Sequence, residues 1–534
     1  MTHKHRSRRT FLKNSTSLVA GAMLLPPKSW TTSTGTPAIT PDATPLIGPA
    51  ATTIIGPAAP APMVAIQVGP ESFVDEGIDT LLDWLKEKAG VNTICLTTFT
   101  YGQGFAGRLR PGRLFPGHGE PAEKGAPFHG GNFATPHAQF YTDTILNNTK
   151  APDHNGRDVL AEVLAAARKK NMKVFCGVED RWDKAFDVPG LQQCAEVDLK
   201  GRSTFDRSRS ITTCVFNPNV RAFWTGLTKD LCSSYQIDGL LFENERSGPL
   251  MNVLGATPFR KTVGDTSHVA CFCEHHQKAA EQRGLDFQRV RQGYQSLCDF
   301  VRAAIASDRP PDGYYVTFQQ ILRDFPEIEA YNRLCDEGKL QVVRDLKAAM
   351  KGVRNDLQLI FHIEQTISFN PFTRATLNYQ HLYDLADFLK PATYNNCAGE
   401  RYADFVHTLG ATIFRDIPQE ELYSVLNHWL NYEGLAPLDQ LPKAGLPASY
   451  VGRETKRALA GVKGRCGILP GIDVSIPVGE ESRKASPEDT YAATFAALEA
   501  GAGGVVLSRK YSEMRRENLE GAGRAIRDWQ THKG

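Results

Sequence analysis

Residues 237–245 read Ile-Asp-Gly-Leu-Leu-Phe-Glu-Asn-Glu, a short apolar run that ends in two carboxylates separated by an amide. A strand built from Leu and Phe buries both of its faces, as strands of parallel sheets do. Polar side chains at the carboxyl end of such a strand emerge where the loops of an α/β barrel form a cleft. The segment therefore predicts a barrel strand with Glu243, Asn244 and Glu245 at its mouth.

Similar apolar runs alternate with amphipathic helical stretches along the rest of the chain. We predict strands at 64–68, 92–96, 173–178, 237–245, 358–363, 387–392, 467–472 and 504–507, and helices at 78–88, 159–170, 220–235, 328–351 and 490–500. This alternation indicates eight strand-helix units. The predicted fold class is α/β, a (β/α)8 TIM barrel with long loop insertions on its C-terminal face.

The first sixty residues have a different character. Residues 7–13 read Ser-Arg-Arg-Thr-Phe-Leu-Lys and precede an apolar stretch at 18–25, a pattern that resembles a bacterial twin-arginine export signal. That stretch is too short to span a bilayer. Residues 31–62 are rich in Thr, Pro and Ala without periodicity, which is typical of a disordered linker. We predict a signal peptide at 1–30, a linker at 31–62, a barrel domain at 63–534 and a periplasmic or secreted product without a membrane span.

The composition argues against several classes of partner. A formal net charge of +2, spread without a basic stripe, disfavours nucleic-acid binding. No His-Glu-x-x-His helix, nucleotide-binding loop or Gly-x-Ser-x-Gly elbow occurs, so no cofactor is expected. The odd count of 11 cysteines predicts reduced core thiols in place of a disulfide framework.

Acids, amides and aromatics dominate the positions that follow the predicted strands. Such a mixture suits a carbohydrate, whose hydroxyls need polar partners and whose ring faces lie on aromatic side chains. The predicted substrate-binding residues are Tyr101, Glu179, Trp182, Asn244, Arg246, His362, Lys390, Tyr394, Asn395, Arg509, Lys510 and Tyr511. Arg509 and Lys510 indicate either an anionic sugar or, as we favour, charge balance for the acids.

Glycosidic cleavage needs one carboxylic acid to protonate the leaving oxygen and a second carboxylate to attack or to activate water. The candidates at strand ends are Glu243, Glu245, Asp180, Glu364 and Asp473. Glu243 and Glu245 share a strand phase, so both can point into the cleft. The alternative is that such acids only form ion pairs, for example with Arg246.

Several segments resemble exported barrel glycoside hydrolases. They are residues 129–132 (His-Gly-Gly-Asn), 136–137 (Pro-His), 179–180 (Glu-Asp), 245–250 (Glu-Arg-Ser-Gly-Pro-Leu), 271–275 (Cys-Phe-Cys-Glu-His) and 507–511 (Leu-Ser-Arg-Lys-Tyr). The resemblance spans nearly all of the chain after residue 63. It implies a TIM barrel that acts on carbohydrate.

A looser resemblance is to the glycoside hydrolase clan whose fourth strand ends in Asn-Glu, where the Glu is the acid/base. This maps onto Asn244 and Glu245 and implies that Glu245 is the acid/base. The same clan carries its nucleophile as a Glu that ends strand seven, whereas this chain offers Asp473 there. The partner carboxylate therefore stays open between Asp473, Glu364 and Asp180.

Cys271-x-Cys273-x-x-His276 resembles the Cys-x-Cys-x-x-Cys segment of zinc-bearing β-galactosidases, with His in place of the last thiol. A structural zinc needs four ligands and only three are local. We therefore predict no metal and a loop packed by buried thiols.

The sequence thus predicts a glycoside hydrolase with a two-carboxylate mechanism. A carbohydrate-binding barrel without catalysis is the first alternative, because the strand-seven Glu is missing. The second alternative is a sugar lyase or isomerase that uses Tyr394, His362 and Lys390 as bases.

Overall fold

The computed structural model describes residues 61–107, 117–119, 127–255 and 269–533. Its central element is a ring of eight parallel strands. They are β1 (Met63–Val68), β2 (Thr93–Thr100), β3 (Lys173–Glu179), β4 (Gly239–Glu243), β5 (Gln358–Ile363), β6 (Phe388–Pro391), β7 (Gly467–Ile468 and Gly471–Asp473) and β8 (Gly504–Ser508). Each strand pairs with the next in chain order, and β8 pairs with β1. The predicted (β/α)8 barrel is confirmed.

The seventh strand closes the ring in two steps. Its first segment pairs with β6 and its second with β8. Pro470 lies between the segments and has no N–H to donate to the sheet. Its carbonyl still accepts a hydrogen bond of 3.0 Å from the Val506 backbone N–H, so the strand continues through the interruption.

Helices surround this ring and fill its insertions. The helices are α1 (Pro70–Glu76), α2 (Ile78–Ala89), α3 (Gln103–Ala106), α4 (Val159–Lys169), α5 (Leu191–Cys194), α6 (Thr204–Arg207), α7 (Pro218–Ser234), α8 (Pro249–Leu254), α9 (Glu274–Gln282), α10 (Phe287–Ile305), α11 (Tyr314–Asp324), α12 (Glu327–Val353), α13 (Thr366–Phe369), α14 (Pro371–Thr376), α15 (Asn395–Ala411), α16 (Gln419–Leu430), α17 (Leu441–Ala444), α18 (Ala448–Val462), α19 (Pro487–Glu499) and α20 (Arg516–Lys533).

Helix starts follow capping chemistry that apolar periodicity alone does not show. The helix predicted at 220–235 begins two residues earlier, at Pro218, because the Asn217 side chain accepts from the Asn219 backbone N–H. The helix predicted at 490–500 begins at Pro487, where Ser486 and Asp489 form a reciprocal capping box. The central residues of both helices were predicted correctly, and the capping residues set where each helix begins.

The barrel interior is layered. One buried cluster draws a residue from each of seven strands, namely Ala65, Cys95, Phe175, Leu241, Ile360, Leu469 and Val506, and Phe388 of β6 packs against it. Because side chains on a strand repeat every second residue, the next inward position lies two residues further along. Those positions are polar in several strands and begin the site described below.

The insertions lie after the carboxyl ends of β2, β3, β4 and β6, on the C-terminal face that the sequence predicted. The longest, between β4 and β5, holds α8 to α12. The barrel belongs to a compact unit that begins at Ala61. The predicted signal peptide and nearly all of the predicted linker lie outside the described residues, and so they remain predictions. Within the described ranges, none of the helices combines the length and hydropathy needed to cross a bilayer.

Candidate active site

A buried polar network occupies the layer directly above the apolar plug of the barrel. Gln67 of β1 donates to Glu243 Oε1 at 2.7 Å, and Ser508 of β8 donates to Gln67 Oε1 at 2.9 Å. Lys390 Nζ of β6 donates to the same Gln67 oxygen at 2.8 Å and to Glu243 Oε1 at 3.1 Å. Four strands far apart in sequence thus meet around one ammonium group.

The charge of Lys390 fixes the roles of its neighbours. Burial acts to lower the pKa of Lys390, but Glu243 and Tyr394 outweigh burial and raise it. An ammonium has no lone pair, so His362 Nδ1, 3.3 Å from Lys390 Nζ, serves as an acceptor. His362 Nε2 then carries the proton and donates to Glu245 Oε1 at 2.8 Å. The network therefore runs from the barrel core to Glu245 at the mouth.

A cleft of about 310 Å³ opens over this network. Its lining comes from the ends of most barrel strands and from the loops that follow them. The lining residues are Gln67, Phe105, Glu179, Asp180, Arg181, Ser210, Ile211, Thr212, Glu243, Asn244, Glu245, Arg246, His362, Tyr394, Arg401, Ile476 and Arg509. The cleft has the position of the active site in barrel enzymes.

Glu245 is held as a carboxylate. Burial acts to raise its pKa, but the hydrogen bond from His362 and the charges of Arg401 and Lys390 outweigh burial and lower the pKa from 4.5 to about 2. Its side chain is 34% exposed, facing the cleft. Glu245 therefore presents a negative charge to a bound molecule at neutral pH.

Glu179 is held in the opposite state. Burial raises the pKa of this carboxyl from 4.5 to about 8, the nearby Glu243 charge adds to the rise, and Arg181 and a hydrogen bond from Thr100 only partly offset it. Thr100 Oγ1 donates to Glu179 Oε2 at 2.6 Å. Glu179 is therefore protonated at neutral pH and has a proton to give.

Two buried polar atoms of the cleft wall lack partners within the described part of the chain. They are Asn244 Oδ1 and Arg246 Nε. The other amide atom of Asn244, Nδ2, donates to Asp180 Oδ2 at 3.4 Å, which fixes the amide orientation. An unsatisfied buried acceptor and donor are costly unless a ligand bonds them. They can pair with the hydroxyls of a bound molecule.

Asp180 lines the cleft, but its oxygens are already engaged. Arg246 forms a salt bridge to Oδ2, and Trp182 Nε1 and Thr213 Oγ1 donate to Oδ1 at 3.1 and 3.2 Å. Its side chain is 1% exposed. Asp180 therefore holds Arg246 and the cleft wall, and its catalytic role stays a prediction.

Asp473 and Glu364, which the sequence offered as candidate catalytic partners, do not line the cleft. Asp473 Oδ1 and Oδ2 each accept a backbone N–H at 3.0 Å, from Ile476 and Cys397, and its side chain is buried. Glu364 is buried, and burial raises the pKa of its carboxyl. The position at the end of a strand was right for both, but the loops turn them inward.

Among the predicted binding residues, six line the cleft. They are Glu179, Asn244, Arg246, His362, Tyr394 and Arg509, with Lys390 directly beneath them in the polar network.

Three of the predicted aromatic binding residues do not line the cleft. Trp182 and Tyr101 are buried and stack on each other at 5.4 Å between ring centroids, within a larger aromatic cluster. Tyr511 is buried against Glu76 and Arg516. Aromatic rings gain more by packing in the core than by lining a small polar cleft. Among the residues that the structure describes, only Phe105, His362 and Tyr394 supply ring surface there.

Two further predicted residues lie away from the cleft lining. Lys510 is 1% exposed and donates to the backbone carbonyls of Gln103 and Gly107. Asn395 Nδ2 donates to the Leu446 carbonyl at 3.3 Å. Both stabilise loops next to the cleft.

Gln67 lies two residues after Ala65 of the apolar layer, and this strand phase turns it toward the site. Phe105, Arg401 and Ile476 line the cleft but were not predicted there. Phe105, Arg401 and Ile476 come from α3, α15 and the loop after β7. No local pattern marks these three as neighbours of Glu245.

The structure also supplies a fourth candidate metal ligand that the sequence did not identify. The thiol of Cys214 joins those of Cys271 and Cys273 and the imidazole of His276, and the four ligand atoms lie within 4.8 Å of one another. Cys214 is far from the other three in sequence. The four side chains are therefore close enough to share one ion, whereas the sequence placed only three of them together.

Fold and cleft together define a (β/α)8 barrel with a carboxylate-lined site at its C-terminal mouth. No model of a known protein family matches the sequence, and no curated protein matches it.

Among solved structures, the chain is similar to α-L-fucosidase isoenzyme 2 from Paenibacillus thiaminolyticus, with 12% identity, 88% of this chain and 49% of that one covered, and a TM-score of 0.46. It is similar to the PgaB (BpsB) glycoside hydrolase domain from Bordetella bronchiseptica, with 11% identity, 84% and 94% covered, and a TM-score of 0.45. It is also similar to a β-galactosidase from the haloarchaeon Halorubrum lacusprofundi, with 13% identity, 88% of this chain and 58% of that one covered, and a TM-score of 0.48. The chain spans about half of the fucosidase and less than two thirds of the galactosidase. These likenesses concern backbone architecture and say nothing about the chemistry of the cleft.

Proposed function

We propose that this protein is a glycoside hydrolase in which Glu179 is the general acid and Glu245 is the nucleophile or general base. The observation that carries the proposal is that one cleft holds two carboxyl groups in opposite protonation states, one with its pKa raised to about 8 and one with its pKa lowered to about 2. Such a division is how two-carboxylate enzymes separate their acid from their base.

The positions of the two groups support this assignment. Glu179 ends β3 and lies in register with Glu243 of the adjacent β4. Glu245 follows Glu243 by two residues and extends further into the cleft. The two carboxyl groups therefore approach a bound molecule from neighbouring strands.

This assignment gives Glu245 a different role from the one that the Asn-Glu resemblance implies. An acid/base catalyst must begin the reaction with a proton, and Glu245 is held ionised by His362. Glu243, the other sequence candidate, is buried and engaged by Lys390 and Gln67. We assign Glu243 to positioning the network beneath the cleft.

A lyase or isomerase that uses Tyr394, His362 and Lys390 as bases is disfavoured. Lys390 is a cation, and it occupies His362 Nδ1. Burial raises the pKa of Tyr394, so its hydroxyl stays neutral. None of the three offers a lone pair suited to abstracting a proton at neutral pH.

The substrate that we propose is a neutral or weakly charged oligosaccharide. Asn244 Oδ1 and Arg246 Nε supply polar partners for hydroxyls, and Phe105 and Tyr394 supply apolar surface. The positive charge of Arg246 is already neutralised by its salt bridge to Asp180. Arg246 therefore balances an acid of the protein and does not indicate an anionic sugar. We also propose that the chain acts after twin-arginine export, on the basis of residues 7–13.

The test begins with a screen of oligosaccharides and aryl glycosides, with products followed by NMR. On an identified substrate, Glu245→Gln should lower kcat about 100-fold or more, because general acid–base and nucleophilic groups contribute at least that much. Glu179→Gln should lose a similar factor on a natural glycoside. It should lose far less on an aryl glycoside whose leaving group needs no proton.

The matched control is Glu517→Gln, at a side chain that is 59% exposed and remote from the cleft lining. It should leave kcat unchanged. A Glu179→Gln variant equally impaired on both substrates would contradict its role as the acid. Saturable binding of a sugar without turnover by the wild-type protein would favour the carbohydrate-binding alternative.

A further inference from the structure

A compact group of soft metal ligands lies next to the cleft wall. Cys214 Sγ is 3.4 Å from Cys273 Sγ and 3.3 Å from His276 Nδ1, and Cys273 Sγ is 3.5 Å from His276 Nδ1. Cys271 Sγ completes a set whose four ligand atoms lie within 4.8 Å of one another. Cys214, Cys271 and His276 are each at most 2% exposed.

These distances fit one tetrahedral ion. Ligands at Zn–S and Zn–N bond lengths of about 2.3 and 2.1 Å lie about 3.6 to 3.8 Å apart on a tetrahedron. The three observed separations, 3.3 to 3.5 Å, are slightly shorter than that range, so a small outward movement of each ligand accommodates the ion. Three thiols and one imidazole form a donor set that binds zinc in preference to magnesium or calcium.

The surroundings hold the ligands in place. The backbone N–H of Val197 donates to Cys271 Sγ at 3.3 Å, and Tyr331 OH donates to the Cys271 carbonyl. The Phe216 ring packs edge-on against His276 at 4.7 Å between centroids. Supports of this kind orient the ligands of protein metal sites.

We propose that Cys214, Cys271, Cys273 and His276 bind a structural zinc ion. The site has four protein ligands and no open position, so the ion serves structure and takes no part in catalysis. Cys214 belongs to the segment between β3 and α7, while the other three belong to the insertion after β4. The ion therefore joins two insertions that chain connectivity leaves separate.

This link reaches the cleft through one residue. Thr213 precedes Cys214, its Oγ1 donates to Asp180, and its carbonyl accepts from Arg246. The residue before it, Thr212, lines the cleft. Loss of the ion should therefore loosen the wall formed by Thr212, Asp180 and Arg246, whatever reaction the cleft performs.

The test measures zinc by inductively coupled plasma mass spectrometry in the full chain, purified without chelators. Wild type should contain one zinc ion per chain, and Cys214→Ser and His276→Gln should lose it. Cys232→Ser is the matched control, since Cys232 is also buried but lies in α7 outside the ligand set. It should keep its zinc.

A second measurement covers the case in which ligand variants fail to fold. Cobalt(II) exchanged into the wild-type protein should show thiolate-to-metal charge transfer and the visible bands of a tetrahedral site. Wild type that holds neither zinc nor cobalt would overturn the proposal. So would a Cys214→Ser variant that keeps its full zinc content, or a Cys214–Cys273 disulfide found by peptide mapping in metal-free wild type.

Discussion

At the scale of single residues, the site depends on how neighbours divide charge between chemically identical groups. Glu179 and Glu245 carry the same side chain; Glu179 ends β3, and Glu245 follows the end of the adjacent β4. Burial next to Glu243 keeps a proton on Glu179, while the hydrogen bond from His362 and nearby cations keep Glu245 ionised. Each pKa unit of difference corresponds to about 1.4 kcal/mol between protonation states. The difference in protonation between Glu179 and Glu245 therefore depends on Lys390, which orients His362.

This division predicts a pH profile for the proposed hydrolase. The acid must carry its proton, so kcat/KM should fall as the pH rises through about 8, where Glu179 ionises. The nucleophile must be ionised, and Glu245 keeps its charge down to a pH of about 2. Between these limits the profile should be flat as long as the protein stays folded. The measurement is kcat/KM against pH on a natural glycoside, whose leaving group needs the proton of Glu179.

The Glu179→Gln variant provides the internal check on that profile. Its residual activity should no longer decline above pH 8, because the titrating group is gone. The Glu517→Gln control should keep the wild-type profile. An alkaline decline that survives in Glu179→Gln would assign the titration to another group.

At the scale of elements, loops decide which strand-end carboxylates face solvent. Asp473 ends β7 as the sequence predicted, yet its two oxygens accept the backbone N–H groups of Cys397 and Ile476. It thereby joins the end of β7 to the first turn of α15. A carboxylate at a helix N-terminus satisfies donors that the helix itself leaves unpaired. Its role is to stabilise the fold beside the cleft.

We therefore expect Asp473→Asn to affect stability and spare turnover. An amide can accept from only one of the two N–H groups, so the free energy of unfolding should fall by about 1 to 3 kcal/mol. The kcat of the folded fraction should stay within a few-fold of wild type. Denaturant unfolding and steady-state kinetics measure the two effects.

The exposed Asp439→Asn is the control and should change neither quantity. Complete loss of turnover in folded Asp473→Asn would restore Asp473 as a catalytic residue. In that case Asp473, and not Glu179, would be the second catalytic carboxyl group beside Glu245.

At the scale of the whole molecule, the site exists because the barrel closes. Gln67 of β1 meets Ser508 of β8 only after β8 pairs with β1, with Met63 opposite Gly504. Gly504 is essential to that approach, since a Cβ there would lie 2.0 Å from the Met63 carbonyl oxygen. Adjacent Gly503 has open space around the same position.

This contrast gives a matched pair of variants. Gly504→Ala should lower the free energy of unfolding by about 2 kcal/mol or more, because the added methyl group forces β8 away from β1. Gly503→Ala should change it by less than about 1 kcal/mol. Chemical denaturation of both variants measures the difference. Equal stability of the two variants would mean that β8 does not approach β1 closely enough for a Cβ at residue 504 to meet the Met63 carbonyl oxygen.

The sequence by itself determined the strands, the helices and the edge of the sheet where chemistry collects. These depend on local patterns, since apolar runs make buried strands and the residues after them must emerge at one face. The fifth strand matches its predicted span of 358–363 at both ends. Glu179, Glu243 and Glu245 were placed at the mouth of the barrel for the same reason.

Only the tertiary structure decided what each of those groups does. The pKa of a carboxyl depends on burial and on charges that distant segments bring near, such as Lys390 beneath Glu243 and His362 beside Glu245. Whether Asp473 faces a cleft or two backbone amides depends on how a loop turns. Cys214 joins Cys271, Cys273 and His276 only after two insertions pack together. Proximity between remote segments is a property of the fold, and no local spacing in the sequence encodes it.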